Sequence, residues 1–221
     1  MVLIPIRDKS KLNDGDLEEI PRDEALMYQK YLVKEWEPRS EVWPLKYGSA
    51  ILGALTGFSS VMINSMFRNK LKLHGNGRLF TAISAAVWPG TIVGSLQETI
   101  IRDPILLYEY HCPLCFELKS SLLVNVAGLL FPLIVMPTIN LAIAGNLGLR
   151  IPYITEYREL GKFWWSVVKP GVKHIALLIT CNTITASCIT YKQILSAENL
   201  GSILLQIEKC QNENEPLKMS K

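Results

Sequence analysis

The sequence predicts an all-α integral membrane protein, a bundle of four transmembrane helices preceded by an N-terminal amphipathic helix. Hydrophobic residues make up 49% of the chain and charged residues only 19%, whereas an average soluble domain carries about 25% charged residues. The apolar residues gather into blocks without charged side chains, and about 20 such residues cross the hydrocarbon core of a bilayer. Because the strict alternation of a barrel strand is absent, helices are the structure that satisfies the backbone in lipid.

The four predicted spans cover residues 47–67, 79–97, 120–144 and 172–191. Arg68 closes the first span and Glu98 closes the second. The third apolar block runs on to residue 149, which is too long for one span at about 1.5 Å per residue, so we place its exit after residue 144. A soluble helical bundle is the alternative, but it would show a polar stripe every turn, and the first and third blocks show none.

The regions outside the spans are predicted to be soluble. We assign residues 1–44 to a soluble leader, residues 45–195 to the transmembrane domain, and residues 196–221 to a disordered tail that ends in QNENEPLKMSK. The leader is acidic, unlike a cleaved mitochondrial transit peptide, so membrane insertion is expected to use internal signals. Within it, residues 23–37 predict an amphipathic helix that lies on the membrane or on a partner, or else a frayed leader. The face of that helix comprises Ala25, Tyr28, Leu32 and Trp36.

Small residues recur one turn apart in the first two spans. In lipid, such rows allow two helix backbones to approach closely. We favour packing of these two spans on each other over homodimerisation or docking on another membrane protein. The rows are Ser49, Gly53 and Gly57 in the first span and Ala86, Gly90 and Gly94 in the second.

The spans contain asparagines but no charged residue at depth. A path for a charged solute usually needs such a charge, so its absence counts against a transporter. The asparagines are predicted to form hydrogen bonds between helices. They are Asn64, Asn125, Asn140 and Asn182.

Cys112 and Cys115 form a CxxC motif, preceded by His111, at the entrance to the third span. A structural zinc site usually takes two pairs of ligands, and the sequence offers no second pair. The start of a helix favours a thiolate, but the βαβ context of a thioredoxin-like enzyme is missing. We therefore favour a local disulfide or two unreactive thiols, and we expect no metal, cofactor, nucleic-acid partner or catalytic set.

The connections between spans one and two and between spans three and four carry most of the basic residues. By the positive-inside rule, both connections are predicted to lie on the same, positive side of the membrane. The first holds Arg68, Lys70, Lys72 and Arg78, the third holds Arg150, Arg158, Lys162 and Lys169, and the second holds only Arg102 and Lys119. The cations before the first span oppose this orientation. They are Lys30, Lys34, Arg39 and Lys46.

Three segments together resemble the transmembrane protein 126 family of the mitochondrial inner membrane. They are INSMFRNKLKL at the end of the first span, HCPLCFELKSSLLVNVAGLLFP entering the third, and FWWSVVKPGVK before the fourth. The resemblance covers roughly residues 45–195, and none of its elements is a catalytic signature. Its recurring elements are Asn64, Phe67 with Arg68, Gly128, Phe131 with Pro132, and Lys169 with Pro170.

The resemblance implies a non-catalytic, chaperone-like role in the assembly of respiratory complex I. The implied partners are the lipid bilayer, membrane-arm subunits of complex I and other assembly factors. Arg68 is expected either to reach the lipid headgroups or to pair with an acidic group on a partner. Two alternatives from other classes stay open: a multi-pass transporter, and a thiol–disulfide protein that uses Cys112 and Cys115.

Overall fold

A computed structural model describes residues 21–71, 75, 77–110, 112–146 and 157–214. Among these residues the chain is almost wholly helical and has no strand, which confirms the all-α prediction. Two π-helical turns, Gln97–Arg102 and Val126–Leu130, join α3 to α4 and α5 to α6, so each pair forms one continuous helix. The helices are α1 (Arg22–Glu35), α2 (Arg39–Leu71), α3 (Arg78–Leu96), α4 (Asp103–Leu106), α5 (Pro113–Asn125), α6 (Phe131–Asn146) and α7 (Tyr157–Asn214).

Four helices of the described chain are long and apolar enough to cross a membrane, as predicted. Each extends beyond its predicted span, and α2 packs against α3, α5, α6 and α7. The second span in particular does not stop at Glu98 but continues through the π-helical turn to Leu106. The spans are Arg39–Leu71, Arg78–Leu106, Pro113–Gly145 and Trp164–Ile207.

Helix α7 departs most from the prediction. The sequence predicts that the fourth span ends at residue 191 and that a disordered tail begins at residue 196, but the helix is continuous to Asn214. The tail prediction is therefore wrong for residues 196–214, while residues 215–221 lie outside the described residues. An apolar face explains the continuation, because residues spaced three or four apart are buried against the bundle. They are Ile194, Ala197, Leu200 and Leu204.

The connection between α4 and α5 also holds this part of α7. Tyr108 donates a hydrogen bond from its hydroxyl to the Ala197 carbonyl at 2.6 Å, and Tyr110 donates to Glu198 Oε1 at 3.0 Å. Burial raises the pKa of Tyr108 above its usual value, so the hydroxyl keeps its proton as a donor. These bonds fix α7 well past the end of its predicted span.

Three apolar clusters follow one another along the bundle. The cluster at one end, which we call the α1-side cluster, joins α1, the α3–α5 region and the last third of α7. The cluster at the other end lies near the α2–α3 and α6–α7 connections. The described ends of the chain, at α1 and at the end of α7, therefore lie at the same end of the bundle. The α1-side cluster contains Val33, Val42, Leu45, Ile101, Ile105, Leu106, Phe116, Ile194, Ala197, Leu200 and Leu204.

Helix α1 packs on its own chain, against α2 and α4. The predicted helix is present, but the buried positions are Gln29 and Val33. Leu32 and Trp36 pack at the edge of the α1-side cluster. The face of α1 that points into the bundle is therefore rotated by about one residue from the predicted face. Val33 is buried in the cluster, whereas Leu32 and Trp36 are only partly buried. The predicted face of Ala25, Tyr28, Leu32 and Trp36 is only half-buried.

A backbone carbonyl of α6 that a proline leaves without its helical donor accepts a hydrogen bond from α7. Pro137 has no backbone N–H, so the carbonyl of Leu133, four residues earlier, lacks its helical donor. The indole N–H of Trp164 donates to that carbonyl at 2.8 Å. Trp164, at the start of the fourth span, thereby satisfies the carbonyl that the proline leaves without a donor.

Candidate helix-packing and partner-binding site

The two rows of small residues face each other across the α2–α3 interface. A Cβ atom added to Gly53 would lie 2.6 Å from the Gly90 carbonyl oxygen, and one added to Gly57 would lie 2.6 Å from that of Ala86. In the opposite direction, a Cβ on Gly90 would lie 2.9 Å from the Gly53 oxygen. The structure therefore uses these residues for close backbone contact between the two spans.

The interface opens toward the end of the bundle that carries α1. A Cβ added to Gly94 would lie 3.8 Å from the Ser49 carbonyl oxygen, which is an ordinary van der Waals contact. A groove of about 500 Å³ runs along the outside of the same rows. Gly94 thus belongs to the same row as the tight glycine Gly90 but has room for a methyl group.

The asparagines form hydrogen bonds between spans, as predicted. They link α2 to α6, α2 to α7, and α5 to α7. Each bond is expected to contribute about 0.6 kcal/mol, and at most about 2 kcal/mol, in a membrane bundle. The bonds run from Asn140 Nδ2 to Asn64 Oδ1 at 2.9 Å, from Ser59 Oγ to Asn182 Oδ1 at 3.0 Å, and from Asn125 Nδ2 to Thr183 Oγ1 at 3.0 Å.

Phe67 and Arg68 both lie inside the bundle. Phe67 is only 1% exposed and packs in the cluster near the α2–α3 connection. Arg68 is 6% exposed and donates from Nη1 to Thr81 Oγ1 of α3 at 3.1 Å. Within the chain, the side chain therefore turns inward onto α3, an arrangement that neither sequence-based expectation for Arg68 included.

Phe131 and Pro132 point in different directions from each other. Phe131 is 44% exposed on the outer surface of α6, whereas Pro132 is buried directly after the π-helical turn. Gly128, within that turn, packs on Thr56 of α2, where an added Cβ would lie 3.1 Å from Thr56 Cγ2. The family elements are therefore split between the interior and the outer surface rather than joined in one pocket.

A charged cluster near α1 is not predicted by the sequence. Lys30 Nζ lies 2.9 Å from Oδ1 and 3.0 Å from Oδ2 of Asp103. Asp103 is only 7% exposed. Arg102 pairs with Glu98 at 2.9 Å, one turn earlier. The pair of Glu98 and Arg102 can be predicted from its i, i+4 spacing in the sequence. The pair of Lys30 and Asp103 cannot, because the two residues are 73 positions apart.

Cys112 caps the N-terminus of α5. Its Sγ accepts a hydrogen bond from the backbone N–H of Cys115 at 3.3 Å. Donation from the Cys115 side chain, together with that backbone bond, lowers the pKa of the Cys112 thiol. Both cysteines are free thiols in the structure, so the disulfide stays a prediction. His111 lies outside the described residues, among which no group of three or more His, Cys, Asp or Glu side chains could hold a metal ion.

The outer surface of the spans is strongly apolar. Large hydrophobic side chains point outward from all four spans, toward lipid or toward helices of other proteins. They include Phe58 of α2, Phe80 and Trp88 of α3, Leu122 of α5, Ile134 of α6 and Leu177 of α7.

The sequence of the four-span bundle matches one known protein family. The family model described as Transmembrane protein 126 matches residues 27–204. The chain belongs to the transmembrane protein 126 family. A family member from Drosophila melanogaster, Transmembrane protein 126, is 32% identical over 174 residues, which cover 77% of this chain and 78% of that protein. Transmembrane protein 126A from Mus musculus is 27% identical over 177 residues, covering 77% and 87% of the two chains.

Transmembrane protein 126A from Rattus norvegicus is 25% identical over 178 residues, with the same coverage of this chain. No solved structure matches the chain. The family match begins within α1 and continues into α7 beyond residue 195, so it extends past both ends of the resemblance expected from the sequence. Together with the four apolar helices, it identifies a multi-pass membrane protein of this family.

Proposed function

We propose that the chain is a non-catalytic scaffold of the mitochondrial inner membrane that holds membrane-arm intermediates of respiratory complex I together with other assembly factors. Membership in the transmembrane protein 126 family carries this proposal, because the resemblance implies that role. The arrangement of the spans is compatible with it. Small and amide residues bind the four spans to one another, and apolar side chains on the outside offer area to helices of other proteins.

A knockout with complementation tests the proposal. Loss of the protein should deplete assembled complex I and accumulate membrane-arm subassemblies on native gels, while other respiratory complexes stay near normal. Purification in mild detergent should recover complex I subunits with the protein. Normal complex I in knockout mitochondria would contradict the proposal.

Two phenylalanine variants separate partner binding from folding. Phe131→Ala removes an exposed side chain, so we expect normal abundance with reduced recovery of complex I subunits. Phe67→Ala removes a buried side chain, and such truncations cost about 3–5 kcal/mol of stability, so its abundance should fall. Immunoblotting and co-purification measure the two effects. Equal abundance and equal recovery for both variants would argue against an outer binding surface that includes Phe131.

The capped thiol at the start of α5 favours a second candidate, thiol–disulfide exchange with a client protein. In that reaction the Cys112 thiolate attacks a client disulfide, which forms a mixed disulfide and releases one client thiolate. The Cys115 thiolate then attacks Cys112 Sγ and releases the second client thiolate, so the client disulfide is reduced and the CxxC pair is oxidised to a disulfide. The lowered pKa of Cys112 suits it as the sulfur that carries the mixed disulfide.

Trapping distinguishes this candidate from the scaffold. Cys115→Ser should accumulate mixed disulfides on non-reducing gels, Cys112→Ser should not, and Cys188→Ser in α7 serves as the control. Failure of Cys112→Ser to restore complex I would support redox chemistry. Full rescue by both CxxC variants without trapped species would exclude it.

A further inference from the structure

A basic cavity lies between α2 and α3 at the end of the bundle opposite α1. Its volume is about 620 Å³, and it is open to the surface. Its polar lining comes from the last turns of α2 and the first residue of α3. The polar lining residues are Asn64, Ser65, Arg68, Asn69 and Arg78.

The lining suits an anion. Among the described residues that line the cavity there are two arginines and no carboxylate. Arg68 is held in place by its bond to Thr81 Oγ1 at 3.1 Å, and Thr81 in turn donates to the Gly77 carbonyl at 3.1 Å. Two guanidinium groups supply several donors in the fork geometry that matches a phosphate.

The start of α3 adds to the positive character. The first turn of α3 has no acidic residue, and its N-cap, Gly77, makes no side-chain capping bond. The N-terminus of a helix carries about half a positive charge, which most helices offset with an acidic or capping side chain. Here Arg78 occupies the first helical position instead, so the helix end and the arginine attract the same kind of ligand.

The outward surface of the first turns of α3, beside the helix end that carries Arg78, is apolar. Leu79, Phe80 and Ile83 are 78%, 72% and 60% exposed. Both helices are candidate membrane spans, and Arg68 and Arg78 lie at the ends that enter the same connection. A cationic cavity at the end of two spans lies where lipid headgroups meet the hydrocarbon core.

We propose that this cavity binds the phosphate of an anionic phospholipid, with the acyl chains lying along the exposed face of α3. A free phosphate ion would share the arginine contacts but would leave the apolar face unused. An acidic residue of a protein partner would likewise use only the charged part of the site. The combination of charge and apolar surface therefore favours the lipid, and the proposal is independent of a role in complex I assembly.

Native mass spectrometry of the purified full chain in detergent tests the site. The protein is equilibrated with equal amounts of phosphatidylglycerol and phosphatidylcholine, and the retained lipids are counted. We expect preferential retention of phosphatidylglycerol, and a loss of about fivefold in its affinity for Arg78→Gln, because one basic residue near a membrane contributes about that factor. Arg68→Gln should lose at least as much.

Arg39→Gln removes the same charge at the opposite end of α2 and should leave the retention unchanged. Arg78 is exposed, so its substitution should leave the fold intact even if Arg68→Gln lowers the yield. Equal retention of the two lipids, or full retention by Arg78→Gln, would overturn the proposal. Displacement of phosphatidylglycerol by millimolar inorganic phosphate would also overturn it, in favour of a free-anion site.

Discussion

A single methyl group distinguishes two kinds of glycine in the α2–α3 interface. At Gly53 the added atom would meet a backbone oxygen at 2.6 Å, and a backbone oxygen in a helix cannot rotate away. At Gly94 the nearest backbone oxygen is 3.8 Å away. Gly53 faces Gly90, and Gly94 lies one turn after Gly90 on α3. The same substitution therefore has different expected effects at two positions that are only one turn apart along the interface.

We expect Gly53→Ala to destabilise the protein by about 1–3 kcal/mol, the usual cost of inserting volume into a packed interface. Gly94→Ala should be neutral or slightly stabilising, because alanine is the better helix former by up to about 1 kcal/mol. Thermal unfolding in detergent micelles measures both. A midpoint for Gly53→Ala as high as that of Gly94→Ala would contradict the close contact.

The ion pair between Arg22 and Glu109 gives α1 a pH-dependent contact. Arg22 donates from Nε and Nη2 to the two carboxylate oxygens of Glu109, at 3.0 and 2.9 Å. These bonds hold the pKa of Glu109 below its usual value. The pair therefore stabilises the docked helix at neutral pH, and this contribution is lost as the pH falls through the folded-state pKa.

An NMR titration of the Glu109 carboxyl carbon in micelles checks this prediction. The midpoint should lie below that of an unpaired glutamate in the native protein, and it should return toward the ordinary value in Arg22→Gln. Lys34→Gln, on the same helix, is the control for a general loss of charge. An unshifted midpoint in the native protein would show that α1 does not dock through this pair.

At the scale of elements, the packing of α7 on α6 depends on the hydrogen bond from Trp164 to the Leu133 carbonyl, which Pro137 leaves without a helical donor. Trp164→Phe removes the donor to the Leu133 carbonyl and leaves that carbonyl without a partner beside Pro137. We expect a loss of about 1–3 kcal/mol, the cost of an unsatisfied buried polar group. Trp165→Phe changes the adjacent, exposed indole and should cost much less. Chemical denaturation in micelles compares the two variants, and equal stabilities would rule out a structural role for the bond.

The elements also show which parts of the fold could be predicted. The α2–α3 interface follows from spacing, because small residues one turn apart form a continuous face on each helix. The extent of α7 could not be predicted because polar residues, among them Glu198, Asn199 and Ser202, interrupt its last third. The buried residues form one face only once a helix is assumed; they are Ile194, Ala197, Leu200 and Leu204. The ion pair of Lys30 and Asp103 depends on how α1 docks, which no local pattern specifies.

For the whole molecule, the four spans return the end of α7 to the end of the bundle where α1 lies. If the chain lies in the mitochondrial inner membrane, as proposed above, the basic connections favour the opposite end on the matrix side, and this orientation predicts that both termini and Cys112 face the intermembrane space. A tag after residue 221 should then be removed by protease once the outer membrane is ruptured, and Cys115 should react with an impermeant maleimide. A matrix-side control protein must stay intact. Survival of the tag under those conditions would reverse the orientation.

Closure of the α1-side cluster also sets an order for biogenesis. Val33 belongs to the same cluster as Leu204, so the ribosome makes about 170 residues between them, which takes about 10 to 30 s at ordinary synthesis rates. Until α7 arrives, the part of the cluster built by α1, the start of α2, α4 and α5 stays open on the side that α7 covers in the finished bundle. A chain that stops before Ile194 leaves that side open permanently, so it presents a lasting signal for the membrane's quality-control proteases.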